Sequence, residues 1–100
     1  MDRREYSIDI TVNSRKIQKV IIDTHYETKH RSSVDDELIL RLVRLLDGGV
    51  FPPQDQNPPY EYFVTDQMKL DGKIYKLVWL LEGSQLYIGI VNAYRRSARR

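Results

Sequence analysis

The segment from residue 25 to residue 30 holds the densest set of side chains suited to proton transfer and anion binding. It reads HYETKH and contains both histidines of the chain, His25 and His30, with Lys29 between them. Histidine exchanges a proton near neutral pH, and lysine can hold a phosphate or a developing negative charge. The segment is therefore the first candidate for a catalytic site.

These residue types match the needs of RNA cleavage by a 2′-hydroxyl that attacks the adjacent phosphorus. The reaction requires a base for the hydroxyl, a cation for the charge on the phosphate oxygens and an acid for the leaving 5′ oxygen. His25 or His30 can supply the acid and the base, and Lys29 the cation. Tyr94 and Arg95, near the end of the chain, complete the set of candidate catalytic residues. The reaction needs no metal.

Basic residues next to these candidates extend the pattern. Arg31 follows His30, and Arg96 follows Arg95, although the net charge of the chain is only +2. Because basic clusters attract phosphates, Arg31 and Arg96 are predicted to bind RNA. The alternative interpretation is structural: His25 packs at the end of a strand, and residues 29–31 form a solvated loop.

A metal site is a weaker use of the same histidines. His25 and His30 are five residues apart, and Asp23 or Asp35 offers oxygen, but the spacing matches no paired-ligand motif. The chain has no cysteine, which excludes thiolate zinc sites and disulfides. We therefore expect no metal and no cofactor.

A predicted β-hairpin near the C-terminus positions Tyr94, Arg95 and Arg96. Two apolar runs, 74–81 and 86–91, flank a short polar break and are rich in β-branched and aromatic residues. Neither run alternates cleanly between polar and apolar residues, which indicates strands in the middle of a sheet. The second strand then runs directly into the Tyr94-Arg95-Arg96 cluster.

The N-terminal part of the chain predicts a second hairpin. Residues 6–12 alternate between apolar and polar side chains, the period of a strand with one buried face. Asn13 and Ser14 begin a turn, and residues 17–22 resume an apolar, β-branched run. A short helix from Arg15 onward is the competing interpretation.

A helix is predicted over residues 34–47. Ser33 fits the N-cap, acidic residues occupy the first turn, and Gly48 suits the position after the helix. The apolar stripe is predicted to contain Val34, Leu38, Leu42 and Leu45, with Ile39, Val43 and Leu46 beside it.

The segment that follows contains all four prolines, so residues 50–59 are predicted to form a loop. Residues 60–70 then form a strand.

The dipeptide Asp71-Gly72 is the strongest turn signal in the chain, since a type I′ turn needs positive φ at both central positions. A two-residue turn there would pair Met68 with Tyr75 and Val64 with Trp79.

The assembled prediction is an α+β fold with a β-β-α-β-β-β order. An antiparallel sheet of four to five strands carries one amphipathic helix on one face. Residues 1–100 form a single domain, with 1–5 and 97–100 expected to be frayed. No apolar run approaches the ~20 residues of a membrane span, and no secretory signal is visible, which indicates a cytoplasmic protein. The sequence leaves the oligomeric state open.

Tyrosine is abundant, with seven residues in the chain. Five of them, at 60, 62, 75, 87 and 94, fall in the predicted C-terminal strands. Rings on a sheet face can stack on RNA bases, or they can form cross-strand pairs with their hydroxyls at the rim. We favour the structural role for Tyr75 and Tyr87 and a functional role for Tyr94.

The layout resembles the small ribonuclease toxins of the barnase/EndoU/colicin/RelE group, which occur in bacteria and phages. The basic, histidine-containing residues 25–31 precede an amphipathic helix and a meander that ends in Tyr94-Arg95-Arg96. The resemblance implies a metal-independent endoribonuclease, often ribosome-dependent, that an antitoxin-like partner inhibits by covering the sheet. Lys29 and His30 would match the basic residues near the helix, and Tyr94 and Arg95 those that close the last strand.

A non-catalytic protein-interaction module is the alternative. A small sheet with an exposed tyrosine-rich face and a proline-rich loop can dock a protein partner. In that case the outer tyrosines or residues 52–59 would form the contact, and the histidine segment would lie away from them.

Overall fold

The computed structural model describes residues 3–23 and 34–96. In these ranges the elements are β1 (Arg3–Val12), β2 (Arg15–Asp23), α1 (Asp36–Arg44), β3 (Asp55–Asn57), β4 (Tyr60–Leu70), β5 (Lys73–Glu82) and β6 (Tyr87–Arg96). The α+β prediction is confirmed for this part of the chain. The predicted strand count is too low, because β3 forms within the proline-rich segment and pairs with the start of β4.

The strands that the structure describes form one sheet in the order β1-β2-β6-β5-β4-β3. Neighbours are antiparallel except β2 and β6, which run parallel, with Val20 opposite Ile88 and Ile22 opposite Ile90. The prediction of an antiparallel sheet is therefore wrong at this pair, and the sheet is mixed. The prediction that β5 and β6 lie in the middle of the sheet is confirmed.

The N-terminal hairpin forms as predicted, and the competing helix from Arg15 does not. Asn13 and Ser14 have φ angles of 54° and 61°, so a two-residue turn joins β1 to β2. Strand β1 begins at Arg3, within the stretch expected to be frayed, because Arg3 pairs with Asp23 across the hairpin. The predicted frayed residues 97–100 lie outside the described residues.

Helix α1 is shorter than predicted. Asp35 caps it by accepting the Leu38 backbone N–H at 2.9 Å, and the helix ends at Arg44 in a turn that leads to Gly48, with φ 82°. The predicted cap, Ser33, lies outside the described residues. Leu45 is 50% exposed, so its predicted place in the buried stripe is wrong. The predicted members that are buried are Val34, Ile39, Leu42, Val43 and Leu46, whereas Leu38 is only partly buried.

The Asp71-Gly72 turn has positive φ at both residues, 53° and 79°, as predicted. Met68 lies opposite Tyr75, but Val64 lies opposite Val78, so the Val64–Trp79 pairing is wrong. The cause is a β-bulge between Thr65 and Met68, where one extra residue of β4 shifts the register.

The core lies between α1 and one face of the sheet. Trp79 is at its centre: its indole stacks on Phe63, with centroids 4.1 Å apart, and meets the edge of Phe51 at 5.5 Å. The indole N–H donates to Thr65 Oγ1 at 3.0 Å, which satisfies its one polar group. Among the described residues, no charged or polar side chain is fully buried.

Candidate functional site

The face of the sheet opposite α1, called here the open face, has no helix of the described residues packed on it. Its side chains alternate with the buried ones along each strand, as the half-exposed Val78 and Leu80 do between Leu77, Trp79 and Leu81 on β5. No helix in the described part of the chain is long and apolar enough to cross a membrane.

A concavity on the open face, called here the tyrosine cavity, has a volume of about 460 Å³. This volume lies in the range of small-ligand pockets in proteins. Its polar and aromatic lining comes from five different strands and consists of Arg3, Asp23, Tyr60, Tyr62, Glu82 and Tyr87. Residues distant in sequence thus meet at one surface.

Apolar groups form the floor of the cavity. Ile21, Leu80 and Val91 contribute side chains, and Gly89 contributes backbone alone. A Cβ atom at Gly89 would lie 2.9 Å from Cδ1 of Leu80. The absence of a side chain at Gly89 therefore leaves room for Leu80 and for the cavity above the backbone.

The tyrosine rings have distinct surroundings. The Tyr60 and Tyr62 rings lie 6.2 Å apart at 37°, so they are inclined to one another and do not stack. The Tyr87 hydroxyl donates to Glu82 Oε1 at 2.5 Å. Burial, followed by this hydrogen bond and the charge of Glu82, raises the pKa of Tyr87 to about 12. Like any tyrosine, Tyr87 is protonated at neutral pH, and the raised pKa extends the range in which it acts as a donor to more alkaline pH.

The described lining combines carboxylates, one guanidinium and phenol rings with apolar side chains. The described lining residues include no histidine, lysine or serine. Within residues 3–23 and 34–96, no group of three or more acidic, histidine or cysteine side chains is placed to hold a metal ion. Charged and aromatic groups over an apolar floor are typical of a recognition site.

The edges of the sheet are protected, which leaves the open face as the more accessible surface. At β1, the Thr11 carbonyl accepts from Gly48 N at 2.7 Å, and the Thr11 N–H donates to Asp47 Oδ1 at 2.8 Å. A bulge interrupts β1 between Ser7 and Ile10. At the other edge, β3 covers the start of β4, and the β4 bulge follows. Bulges and covered ends hinder pairing with a further strand.

The predicted catalytic residues divide between the open face and its opposite. Tyr94 is half-buried, and the Lys76 ammonium lies 5.6 Å from the centroid of its ring. Arg96 lies on the same side and forms a 2.6 Å ion pair with Asp66. Arg95 is exposed and lies opposite Tyr75, a core residue, so strand alternation directs it to the other side. Tyr94 and Arg95 therefore do not share a surface.

The remaining predicted site residues, His25, Lys29, His30 and Arg31, lie outside the described residues. The structural role predicted for Tyr75 is confirmed, because Tyr75 is 4% exposed in the core. Tyr87 was predicted to have a structural role only, and the cavity was not predicted. The available signal was the two-residue spacing in Tyr60/Tyr62, Leu80/Glu82 and Tyr87/Gly89, which places each pair on one face.

Comparisons of the chain with protein-family models, curated proteins and solved structures gave no match. The likeness to ribonuclease toxins therefore stays a prediction made from the layout of the sequence.

Proposed function

We propose that the chain is a non-catalytic binding module that takes its partner on the open face, at the tyrosine cavity. The observation that carries the proposal is the cavity itself, where three tyrosine rings from β4 and β6 stand over an apolar floor. Tyrosine supplies a large apolar surface and a polar tip, a combination enriched at recognition surfaces.

Exposed apolar groups near the cavity add support. Val64 is 38% exposed and lies opposite the half-buried Val78, on the same face as Tyr62 and Leu80. Apolar side chains in a cluster beside polar groups mark interaction surfaces more often than scattered ones do. The partner therefore gains burial from the sheet beyond the cavity.

A fragment screen against the isotope-labelled chain tests this proposal. Neutral and charged aromatic or aliphatic fragments should shift the backbone amide signals of Ile21, Leu80 and Gly89 in two-dimensional NMR spectra. Gly89→Ala should weaken these hits, because the new methyl group displaces Leu80 into the cavity. Ser7→Ala, an exposed change on β1 outside the cavity, should leave them unchanged. Hits that cluster elsewhere, or that Gly89→Ala does not affect, would contradict the proposal.

An endoribonuclease is the second proposal, and one feature of the open face favours it. The Lys76 ammonium lies beside the Tyr94 ring, and Arg96 follows on the same side of β6. Aromatic rings with neighbouring cations can stack bases and hold phosphates. In this second proposal Lys76, Tyr94 and Arg96 form an RNA-binding strip on the open face.

Induced expression in bacteria distinguishes the two proposals. A ribonuclease should arrest growth and degrade cellular RNA, and a His30→Ala/Lys76→Ala/Arg96→Ala variant of equal stability should do neither. A binding module should leave RNA intact in both strains. RNA degradation by the wild type alone would replace the first proposal with the second.

A further inference from the structure

The charges around the tyrosine cavity indicate the class of ligand, and the following inference rests on the proposed binding function. The described lining contains two carboxylates, Asp23 and Glu82, and one guanidinium, that of Arg3. Arg3 and Asp23 lie opposite one another in the register of β1 and β2, so within the described lining the charge of one is balanced in number by that of the other. Glu82 remains as the excess negative charge of the cavity.

Glu82 is held in place by the cavity wall. The Tyr87 hydroxyl donates to one of its oxygens, Oε1, which leaves the other oxygen, Oε2, for a ligand. Among the described residues, no lysine or arginine forms an ion pair with Glu82. An incoming cation would therefore meet a fixed carboxylate.

The aromatic rings also attract cations. The face of a phenol ring is negative and attracts an ammonium or guanidinium group within about 6 Å of its centroid. The open face already contains such a contact between Lys76 and Tyr94. Tyr60, Tyr62 and Tyr87 offer three more rings around the cavity. An anion, by contrast, meets one carboxylate in excess of the described cations and the negative faces of the rings.

The apolar floor suits the stem of a long cationic side chain. Ile21 and Leu80 can contact methylene groups, and Gly89 leaves space above the backbone. Lysine and arginine bury their stems on apolar surfaces while the charged end stays with polar partners.

We propose that the tyrosine cavity binds the lysine or arginine side chain of a protein partner, with the cationic group between Glu82 and the tyrosine rings. Charge complementarity sets this choice of occupant, since the lining that the structure describes has one carboxylate more than it has cations.

Capped peptides of the form Gly-Ser-X-Ser-Gly test the proposal on the full chain by NMR titration. Peptides in which X is lysine or arginine should shift the amides of Ile21, Glu82 and Gly89 in a saturable manner. Norleucine at X keeps the stem and removes the charge, and glutamate reverses the charge. We expect both to bind about tenfold more weakly or not measurably.

Two substitutions should act in opposite directions. Glu82→Gln keeps an acceptor for the Tyr87 hydroxyl but removes the charge, and it should weaken lysine-peptide binding about tenfold. Arg3→Gln removes the competing cation and should strengthen binding about threefold. Glu61→Gln makes the same charge change as Glu82→Gln on a neighbouring strand outside the cavity, and it should leave binding unchanged. If Glu82 had only a structural role, we would not expect Glu82→Gln to weaken binding while Arg3→Gln strengthens it.

The outcomes separate the two proposals. If norleucine or glutamate peptides shift the same amide signals with the same affinity as lysine peptides, the proposal of a cationic ligand is wrong. The proposal of a binding site on the open face is then still supported. If Arg3→Gln weakens binding or Glu82→Gln does not, the electrostatic reasoning is overturned. If neither the peptides nor the fragments shift these amides, the binding function fails as well.

Discussion

Asn13→Gly tests how the first hairpin is joined to the segment after α1. The Asn13 Nδ2 atom donates to the Phe51 carbonyl at 3.0 Å, and the Phe51 N–H donates to Asn13 Oδ1 at 2.6 Å. Because Asn13 has a φ of 54°, glycine can replace it without backbone strain. The substitution therefore removes two side-chain hydrogen bonds and keeps the turn.

The expected loss follows from these contacts. Each hydrogen bond contributes about 1 kcal/mol net, so the pair contributes about 2 kcal/mol to the free energy of unfolding. An added glycine also gives the unfolded chain more freedom, worth about 0.4–1 kcal/mol. Ser14→Gly is the matched control, because Ser14 has a φ of 61° and takes no part in the two bonds. The free energies of unfolding of the two variants should therefore differ by about 2 kcal/mol, the contribution of the two hydrogen bonds.

Urea unfolding followed by fluorescence measures this difference directly. Trp79 is the single tryptophan of the chain and is fully buried against Phe51 and Phe63, so its emission reports the core. A loss of about 2 kcal/mol lowers the urea midpoint by about 1–2 M for a small domain. A difference between Asn13→Gly and Ser14→Gly below about 0.5 kcal/mol would refute the reasoning.

Three further predictions concern other contacts of the fold. Gly49→Ala should destabilise the protein by about 1–3 kcal/mol in the same urea assay, because the new Cβ would lie 2.6 Å from Cζ of Phe51. Gly89→Ala should lower the free energy of unfolding by less, because the Leu80 side chain can move its Cδ1 atom away by rotation. Asp36→Asn should lower the free energy of unfolding by about 1–3 kcal/mol, because it weakens the hydrogen bonds from Arg4 and Tyr6. Asp35→Asn keeps an effective N-cap and should leave stability almost unchanged. Equal losses in the two variants would contradict the role given to Asp36. Tyr87 has a folded-state pKa of about 12 against an ordinary 10.0, so its contribution to stability is complete below pH 10.0 and is lost as the pH rises toward 12. Tyr87→Phe should reduce this alkaline loss and remove a component near pH 12 from the tyrosinate absorbance titration. Identical profiles would show that another group is responsible.

The hairpins and the helix could be predicted from the sequence because their signals are local. Alternation in β1, the turn residues Asn13 and Asp71-Gly72, and the apolar period of α1 each act within a few residues. The strand register predicted from the Asp71-Gly72 turn is correct only as far as Met68. The β4 bulge then shifted it, since an extra residue in a strand leaves no clear mark in composition.

The strand order could not be predicted in the same way. Strands β2 and β6 pair in parallel although α1 and three other strands lie between them in the chain. Val20 and Ile88 fit this pairing, but they would fit an antiparallel neighbour equally well. The choice depends on how the whole sheet buries its apolar face against α1.

The sequence by itself determined the local elements, the absence of cysteine chemistry and the supply of tyrosines. Tertiary structure alone decided which tyrosines meet, because Arg3, Tyr60 and Tyr87 become neighbours only when β6 inserts between β2 and β5. It also separated Tyr94 from Arg95, since adjacent residues of a strand face opposite sides of a sheet. A site built from several strands depends on contacts between residues far apart in sequence, and no local pattern specifies those contacts.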